Sequence, residues 1–304
     1  MMAASTVTRI VSIAALPVVG FLVGVLFLGL SRKITARIHR RYGPPLYQPI
    51  IDVVKLLTQK ENISHGILFD LGILLGLAGA LITMVFIPAG GLRPLSASGD
   101  FLVVLYLMLL SPLGVALAAG ASENPNASIG VSRKFILALG YEVPFLMAAL
   151  AVMTRFQTTS LLEVVSCQEG SVLDWGVFVL PLPAVATFLI LPAMLGIRPF
   201  DFAGAPQEIA SGPMVELGGK YLAFAAIQGA LHTYVVLALF VDLFLGGGAS
   251  MLTFLAKMLA VFFVGVCINA VLPRFRVEQG LRYLWKWPTI LAFFGLLIVA
   301  LRLE

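Results

Sequence analysis

Two charged residues lie inside stretches that are otherwise apolar, and they are the first candidates for chemistry. Glu142 lies about eight residues into a stretch that begins near residue 134, with Tyr141 beside it. A carboxylate in a hydrocarbon layer is costly, usually faces water or another polar group, and is favoured in its protonated form. We therefore expect Glu142, with Tyr141 as a hydrogen-bonding neighbour, to belong to a proton or ion relay. A purely structural hydrogen bond is the alternative.

Lys257 is the matching cation, about six residues into another apolar stretch. Its amine could extend along the helix to the membrane interface, or it could pair with a buried acid or a chain of water molecules. We include it as a weaker relay candidate. Asp242, at the end of a neighbouring apolar stretch, is expected to be solvated.

The polar segment 197–219 supplies further acids. Asp201, Glu208 and Glu216 are separated by seven and eight residues. Glycines and prolines between them favour tight turns, and interspersed Phe, Ile and Met side chains offer packing surface. Three acids in one compact segment are candidates for chemistry. The alternative is that they only neutralise the basic residues that flank them.

The segment 31–66 is basic and contains a helix breaker. Gly43, Pro44 and Pro45 must interrupt any helix, because proline donates no backbone hydrogen bond and the residue before a proline avoids the helical region. After Pro49, apolar residues repeat at i, i+4 and i+7, which predicts an amphipathic helix on the membrane surface or against a partner. A basic flank with an interfacial anchor is the alternative, and it leaves the Tyr-Gly-Pro-Pro turn unexplained.

The elements that must position these residues are helices that cross a membrane. Of the 304 residues, 60% are hydrophobic and 12% are charged, whereas about a quarter of residues are charged in soluble proteins. Apolar runs reach about 20 residues, the length that crosses roughly 30 Å of hydrocarbon, and they must be helical because unpaired backbone groups are costly in lipid. The sequence therefore predicts an all-α integral membrane protein with about eight transmembrane helices and one amphipathic interfacial helix. The predicted spans form a single polytopic membrane domain over 1–304 and lie at about 9–30, 67–88, 101–120, 134–154, 175–196, 220–244, 251–272 and 286–303.

The basic residues predict how these helices are oriented. Fifteen of the 20 Lys and Arg residues lie in or beside the loops after the first, third, fifth and seventh spans, and cytoplasmic loops carry such an excess. We therefore expect loops at about 31–66, 121–133, 197–219 and 273–285 to be cytoplasmic and both termini to lie outside, in a multi-pass protein of the cell membrane. The first apolar run exceeds the 7–15-residue core of a signal peptide, so we expect it to be retained.

The composition also predicts what the chain lacks. Its two cysteines and three histidines are too few and too scattered for an iron–sulfur cluster, which takes about four thiolates, or for a metal site of ordinary ligand spacing. We expect no cofactor, metal or catalytic residue in this chain, so that any redox centre belongs to partner subunits. The net charge of +5 reflects membrane orientation, and we expect no nucleic-acid partner.

Three stretches on the predicted cytoplasmic side, taken in order, resemble those of one family. They are 37–57 with its Arg-Arg-Tyr-Gly-Pro-Pro turn, Arg198-Pro-Phe-Asp201 followed by Glu208 and Glu216, and 272–286. The pattern resembles the complex I subunit called H in bacteria and subunit 1 in mitochondria, which forms the floor of the quinone chamber. The resemblance covers nearly the whole chain.

Two departures from that pattern resemble one branch of the superfamily. The stretch 43–49 is contracted, and Gly204 and Pro206 stand where further glutamates are common in the quinone-reducing members. Both features are similar to the membrane-anchor subunit of energy-converting membrane-bound NiFe hydrogenases and related ferredoxin-linked complexes. A loop that no longer walls a long quinone tunnel fits that chemistry.

The resemblance implies a membrane-anchor and coupling subunit of a ferredoxin-linked respiratory oxidoreductase. Hydrogenase-like large and small subunits, which carry iron–sulfur clusters and a NiFe centre, would dock on the basic loops, and ferredoxin would act through them. Antiporter-like membrane subunits would translocate H⁺ or Na⁺, and lipid would surround the helices. The resemblance also implies that Asp201, Glu208 and Glu216, with Arg198, form with Glu142 the inner end of the proton or ion relay. The docking residues that the resemblance implies are Arg37, Arg40, Arg41, Gly43, Pro44, Gln48, Asp52, Lys55, Arg198, Arg274 and Arg276.

Three other functions stay open. A quinone-site subunit of a complex I-like NADH or ferredoxin:quinone dehydrogenase would show quinone-dependent turnover. A stand-alone secondary transporter is expected to carry inverted repeats, and the sequence shows no convincing one. A purely structural anchor would tolerate neutral substitution of Glu142 and Glu208. The sequence also leaves open whether the ion is H⁺ or Na⁺, what the terminal electron acceptor is, and which partner subunits are present. It does not decide whether lipid or quinone occupies what remains of the quinone chamber.

Overall fold

The computed structural model describes residues 2–59, 64–92, 95 and 97–301, with side chains from residue 13 onward. The regular secondary structure in these ranges is helical, and the only β-type pairing in them is an isolated bridge between Ala89 and Leu92. The all-α prediction is confirmed. Of the 20 basic residues, Lys60, Arg93, Arg302 and the side chain of Arg9 lie outside the described parts, as does the end of the predicted eighth span (302–303).

The helices in the first half of the chain are α1 (Met2–Ile38), α2 (Gln48–Thr58), α3 (Ile67–Met84), α4 (Asp100–Ala121), α5 (Pro125–Phe156) and α6 (Leu161–Cys167). Those in the second half are α7 (Gly176–Val179), α8 (Pro181–Met194), α9 (Pro206–Ile209), α10 (Gly219–Phe244), α11 (Met251–Val271) and α12 (Val277–Leu301). Short 3₁₀ turns cover Val172–Asp174 and Gly212–Met214. Seven of these helices (α1, α3, α4, α5, α10, α11 and α12) are long and apolar enough to cross a membrane.

The predicted fifth span, at 175–196, is the exception. It is divided between α7 and α8, with a break at Leu180, whose φ of −129° and ψ of 61° are not helical. Pro181 explains the break, because the residue before a proline avoids the helical region and proline has no amide hydrogen to donate. The 14 residues of α8 rise only about 21 Å, so this crossing is shorter than predicted.

Three predicted loops are also shorter than expected, because helices continue into them. The first helix runs on to Ile38, α5 begins at Pro125 inside the predicted loop 121–133, and α12 begins at Val277 inside the predicted loop 273–285. Hydropathy marks where the apolar part of a helix ends, whereas its backbone hydrogen bonds can extend into the polar layer. At the start of α5 the Asn124 side chain caps the helix by accepting a hydrogen bond from Asn126 N at 2.9 Å, a pairing that helix N-termini favour.

The two ends of the helix bundle differ in charge. We name the end that carries segments 39–47, 122–124, 197–218 and 272–276 the basic face, and the other end the opposite face. These four segments connect the ends of helices that the sequence predicts to lie on one side of the membrane.

The helix at the centre of the bundle is α10. In its most apolar stretch 72% of residues are buried, compared with 28–44% in the other six long helices. It packs against α1, α2, α3 and α11, while α5 lies along α12 and α8 contacts both of them. The outer helices keep apolar side chains such as Leu22, Leu139 and Phe293 exposed, as helices surrounded by lipid do. A core built around α10 therefore holds the polar segments of the basic face in place.

The amphipathic helix predicted after Pro49 is confirmed as α2. Its Pro49 and Val53 are buried, and the helix packs on α1 and α10. Val54 and Leu57 of the predicted apolar stripe remain exposed, together with Ile51. This exposed apolar edge is the surface that the prediction assigns to lipid or to a partner.

Candidate functional site

Glu142 lies near the middle of α5, about 26 Å along the helix from Pro125 at about 1.5 Å per residue. Its side chain is half-buried and lines a cavity of about 50 Å³, room for one or two water molecules. The carboxyl group makes no hydrogen bond or ion pair with the described residues. Water is the natural partner for a carboxyl group in this position, which fits a relay better than a structural hydrogen bond.

A second cavity, of about 270 Å³, lies between the Glu142 cavity and the basic face. Lys134 of α5 and Asp201 of the 197–219 segment are among its lining residues. Tyr141 and His232 line both cavities and therefore stand between them. Polar groups thus continue from Asp201 at the basic face to Glu142 in the middle of α5.

The walls of this path are held by hydrogen bonds between helices. His232 Nε2 lies 3.0 Å from the Met194 carbonyl oxygen, and because a carbonyl only accepts, Nε2 carries the proton and Nδ1 is the ring atom that can take one up. Gln228, one turn earlier on α10, donates to the backbone oxygen and the hydroxyl of Ser111 at 3.1 and 2.7 Å. Helices α4, α8 and α10 are thereby fixed around the cavity.

Two arginines hold the acids of the 197–219 segment. Arg274 donates to Asp201 at 3.0 Å and lies 3.7 Å from Glu208, while Arg133 of α5 pairs with Glu208 at 2.7 Å. The hydrogen bond from Arg133, aided by the charges of Arg133 and Arg274, holds the pKa of the Glu208 carboxyl below its usual range. Asp201 and Glu208 are therefore close together, as the relay prediction requires, but each is also paired with a basic residue, as the alternative holds.

Glu216 is placed elsewhere. It accepts a hydrogen bond from Asn124 Nδ2 at 2.6 Å, and His65 Nε2 lies 3.5 Å from its other carboxylate oxygen. These contacts connect the end of the 197–219 segment to the starts of α5 and α3. Glu216 does not line either cavity of the path, so the structure separates it from Asp201 and Glu208.

The predicted docking residues of the first basic segment form an exposed corner. Arg37, Arg40, Arg41 and Gly43 are exposed, and the Arg37 guanidinium lies 5.0 Å from the centre of the Tyr42 ring. Gly43 has a φ of +71°, and a Cβ added to it would lie 2.7 Å from Ala36 Cβ. Both facts explain why a glycine is needed in this turn. Beside it Pro44 is half-buried.

The base of this corner is fixed by Asp52 on α2. Its carboxylate accepts hydrogen bonds from Arg32 of α1 and from Gln48, both at 3.0 Å. These two hydrogen bonds hold the pKa of Asp52 below its usual range, the one from Gln48 having the larger effect. Lys55, also predicted to dock, is exposed on the same helix. Asp52 and Gln48 therefore position the corner, whereas the arginines and Lys55 are free to meet a partner.

The remaining docking candidates line a cavity of about 440 Å³ at the basic face. Arg198 and Arg276 are both exposed there, and neither guanidinium forms an ion pair with a described acid. Arg133 and Arg274 line the same cavity, and Glu208 is the one acid among its lining residues. The cavity therefore carries a surplus of positive charge.

Lys257 lies on the opposite face, remote from the other relay candidates. Its ammonium donates to the backbone oxygens of Leu245 and Gly247 at 2.6 and 2.8 Å and lies 4.0 Å from the centre of the Trp175 ring. The expectation that Asp242 is solvated was wrong, since this residue is 1% exposed and Lys257 is the cation whose charge acts on it. The end of α10 is covered by the turns that follow α6 and α10, which hydropathy does not reveal.

Sequence reasoning missed three residues of the site. Lys134 and His232 line the path, and Arg133 pairs with Glu208. The spacing of Lys134 and Tyr141 at i and i+7 places both on one face of a helix and could have revealed the first. No local signal reveals the others, because their partners come from distant segments. Among the described residues, no group of three or more His, Cys, Asp and Glu side chains could hold a metal ion.

Comparison with known proteins gives one family and a consistent set of relatives. The family model described as NADH dehydrogenase matches residues 10–300. A chain of the membrane-bound sulfane sulfur reductase, an archaeal respiratory membrane complex, superimposes with a TM-score of 0.90 at 39% identity, covering 96% of this chain and 99% of that one. One subunit of the NADH-quinone oxidoreductase of Protochlamydia amoebophila is 30% identical, covering 89% of this chain and 90% of that one. Hydrogenase-4 component C of Escherichia coli is 30% identical, covering 83% of this chain and 84% of that one.

Proposed function

Since this chain belongs to the NADH dehydrogenase family of membrane subunits, we propose that it is the membrane-anchor and coupling subunit of a ferredoxin-linked respiratory oxidoreductase. The resemblance predicted from three loop motifs is confirmed by the family match. The observation that carries the proposal is the similarity, over nearly the full length of both chains, to a chain of the sulfane sulfur reductase. In this function the chain holds no redox centre and acts through its partners.

The proposed coupling element is the polar path from the basic face to Glu142. A change of charge or position in a docked redox module would act first on the arginines that hold Asp201 and Glu208. Movement of the 197–219 segment would then alter the water and the protonation of Tyr141, His232 and Glu142, which border the two cavities. A coupling mechanism needs an element with two arrangements that both sites bias, and we assign that part to this segment. Adjacent antiporter-like subunits would translocate the H⁺ or Na⁺.

The proposed docking surface comprises the exposed corner at Arg37–Gly43 and the arginine-lined cavity. Arginines that pair with no acid of the described residues suit acidic groups on a partner, because the guanidinium forms paired hydrogen bonds to carboxylates. The partners are hydrogenase-like large and small subunits that carry iron–sulfur clusters and, in the hydrogenase form of the complex, a NiFe centre. We place this face in the cytoplasm, following the positive-inside rule.

Cys167 provides a test of that orientation. It is exposed at the end of α6 on the opposite face. A membrane-impermeant maleimide added to right-side-out vesicles should label Cys167 and leave the Cys167→Ser variant unlabelled. Labelling of Cys167 only in inside-out vesicles would reverse the orientation and place the docking surface outside.

The subunit assignment is tested by purification of the complex in mild detergent, with identification of the partners and analysis of nickel and iron. Co-purification of hydrogenase-like subunits with iron supports the proposal. Nickel in addition identifies a hydrogenase, and iron without nickel indicates a sulfur-reducing or quinone-linked relative. A chain that purifies alone from its native membrane, without iron, would contradict the proposal and favour a stand-alone transporter.

A quinone-site subunit is the second candidate, because one relative is a subunit of an NADH-quinone oxidoreductase. The cavity beside Asp201 and His232 could receive a ring, but its volume of about 270 Å³ is just below the range of ligand sites, which span about 300–1,000 Å³. Turnover that depends on added quinone and is blocked by quinone-site inhibitors would favour this candidate over the ferredoxin-linked one.

A further inference from the structure

We propose that the turn after α10, together with Asp242, forms a binding site for a sodium-sized monovalent cation on the opposite face, and that the Lys257 ammonium is its tethered occupant. The site lies at the other end of the molecule from the docking surface. The proposal is independent of the function assigned above, since it rests on the oxygen atoms that surround Lys257.

Two of these oxygens come from a glycine-rich turn. Gly246 and Gly247 have φ values of +66° and +53°, and this backbone presents the carbonyl oxygens of Leu245 and Gly247 to Lys257 at 2.6 and 2.8 Å. Added Cβ atoms would lie 2.9 Å from Trp175 Cδ1 and 2.8 Å from Val165 Cγ1, respectively. The turn therefore requires glycine both for its conformation and for its close packing.

The third contribution is a buried carboxylate. Asp242 is 1% exposed, and its Oδ2 has no hydrogen-bond partner among the described residues. Its other oxygen borders the turn, 3.2 Å from where a Cβ on Gly247 would stand. A buried carboxylate without a neighbouring cation is costly, and Lys257 is the cation that acts on it. The ammonium and the carboxylate form no direct ion pair, so the two carbonyl oxygens are the direct ligands of the site and Asp242 supplies its negative charge.

The oxygen set suits an alkali cation. Hard cations prefer oxygen ligands, and carbonyl oxygens at the C-terminal ends of helices in membrane proteins coordinate Na⁺. The end of α10 also contributes the negative end of its helix dipole. Exchange of the ammonium for Na⁺ preserves the charge of the site, because one monovalent cation replaces another on the same two carbonyl oxygens.

The Asp242 side of the site borders a cavity on the opposite face. A cavity of about 690 Å³ is lined by Asp242, Gly248 and Trp175. Glu163 and Glu169 also line this cavity and are exposed, so that they attract cations towards it. A cation can therefore reach Asp242 without crossing the helix bundle.

Removal of the tethered charge tests the site. In the purified complex, Lys257→Met keeps the apolar stem of the side chain and leaves the oxygens without their cation. Its thermal unfolding temperature should rise saturably, by about 5 °C, when Na⁺ replaces choline at constant ionic strength. The wild type, with its site already occupied, should show a much smaller response. An equal effect of the two salts on Lys257→Met would overturn the proposal.

Two further variants separate the site from general salt effects. Adding Asp242→Asn to Lys257→Met should abolish the sodium response, since the carboxylate is then absent. Lys286→Met is the matched control, because Lys286 also lies over a tryptophan, 4.9 Å from the Trp287 ring, but belongs to the basic end of α12. A sodium response in either the double variant or Lys286→Met would count against the proposed site.

A measurement on the wild type decides the question if Lys257→Met does not fold. Sodium that enters the site displaces the ammonium, so acylation of Lys257 by a water-soluble amine reagent should become several-fold faster in Na⁺ than in choline. Lys286, followed in the same digest by mass spectrometry, should react at an unchanged rate. Acylation of Lys257 that does not depend on Na⁺ means that the lysine is a fixed structural cation and that the proposal is wrong.

Discussion

Arg274 donates a hydrogen bond from Nη2 to Asp201 Oδ2 at 3.0 Å, and this contact joins the 272–276 turn to the 197–219 segment. The Arg274 side chain is only 17% exposed, and its second terminal nitrogen lies 3.7 Å from Glu208. Both acids therefore share one partly buried cation. The geometry of the basic face depends on this arginine more than on its exposed neighbours.

Replacing Arg274 with methionine should destabilise the basic face. The change leaves the half-buried Asp201 without its donor, and hydrogen bonds to charged groups contribute about 1.5–3 kcal/mol each. We expect the thermal unfolding temperature of the purified complex to fall by several degrees, and the 197–219 segment to be cleaved faster by protease. Arg282→Met is the control, since Arg282 is exposed, makes no ion pair with the described acids and is not one of the proposed docking residues. Equal stability of the two variants would contradict the role assigned to Arg274.

The stability of the same face should depend on pH through Glu208. The hydrogen bond from Arg133 lowers the pKa of this carboxyl below its usual value of 4.5. A group whose pKa is lower in the folded state stabilises the protein above the pKa of the unfolded state, and the contribution is lost as the pH falls through the folded value. Unfolding temperatures measured from about pH 6 down to pH 3 should therefore fall less steeply for Glu208→Gln than for the wild type.

Glu123→Gln provides the comparison for that pH series. Glu123 is also an acid of the basic face, but it is exposed and has no ion pair with the described residues. Its variant should follow the wild-type curve. A Glu208→Gln curve parallel to the wild type would mean that the arginine pair adds no stability in solution, as is common for exposed ion pairs.

Glu142→Gln should separate electron transfer from ion translocation. The amide keeps the size of the side chain but cannot release a proton, while the redox centres of the proposed complex lie in other subunits. Electron transfer from ferredoxin to an artificial acceptor should continue, whereas ion pumping in sealed vesicles should fall by about tenfold or more. Glu123→Gln again serves as control. Unchanged pumping by Glu142→Gln would exclude a relay role and favour a structural anchor.

Much of the fold follows from the sequence because lipid imposes one rule on every span. Backbone groups must pair within the segment, so an apolar run of sufficient length predicts a helix wherever it occurs. The same rule does not specify where a helix ends. The extensions of α5 to Pro125 and α12 to Val277, and the break at Leu180, depend on capping and proline chemistry at single residues.

The site was predictable only where one residue carries the signal. A carboxyl group in an apolar stretch identified Glu142, and the acids of the 197–219 segment were evident from their spacing. The arginine partners were not, since Arg133 and Arg274 are 75 and 73 positions away from the acids to which they donate hydrogen bonds. For Asp242 the sequence predicted too much exposure. It lies at a helix end, but the turns that follow α6 and α10 bury it as deeply as a core residue.

The close contact between α3 and α4 gives a prediction that concerns stability alone. An added Cβ on Gly114 would lie 2.2 Å from the backbone nitrogen of Gly76 and 2.6 Å from the backbone oxygen of Gly72. Small residues allow such close approach of membrane helices, and backbone atoms cannot move aside as a flexible side chain can. Gly114→Ala should therefore separate the helices and destabilise the protein by about 1–3 kcal/mol.

Gly120 lies six residues later on the same helix and provides the matched control. Apart from its own turn of helix, no heavy atom of the described residues lies within 4 Å of a Cβ placed there, and alanine is the better helix former by about 1 kcal/mol. Gly120→Ala should unfold at the wild-type temperature or slightly above it, while Gly114→Ala unfolds several degrees lower in the same detergent. If the two variants unfold together, the α3–α4 contact does not limit stability, and the glycines of this pair have no packing role.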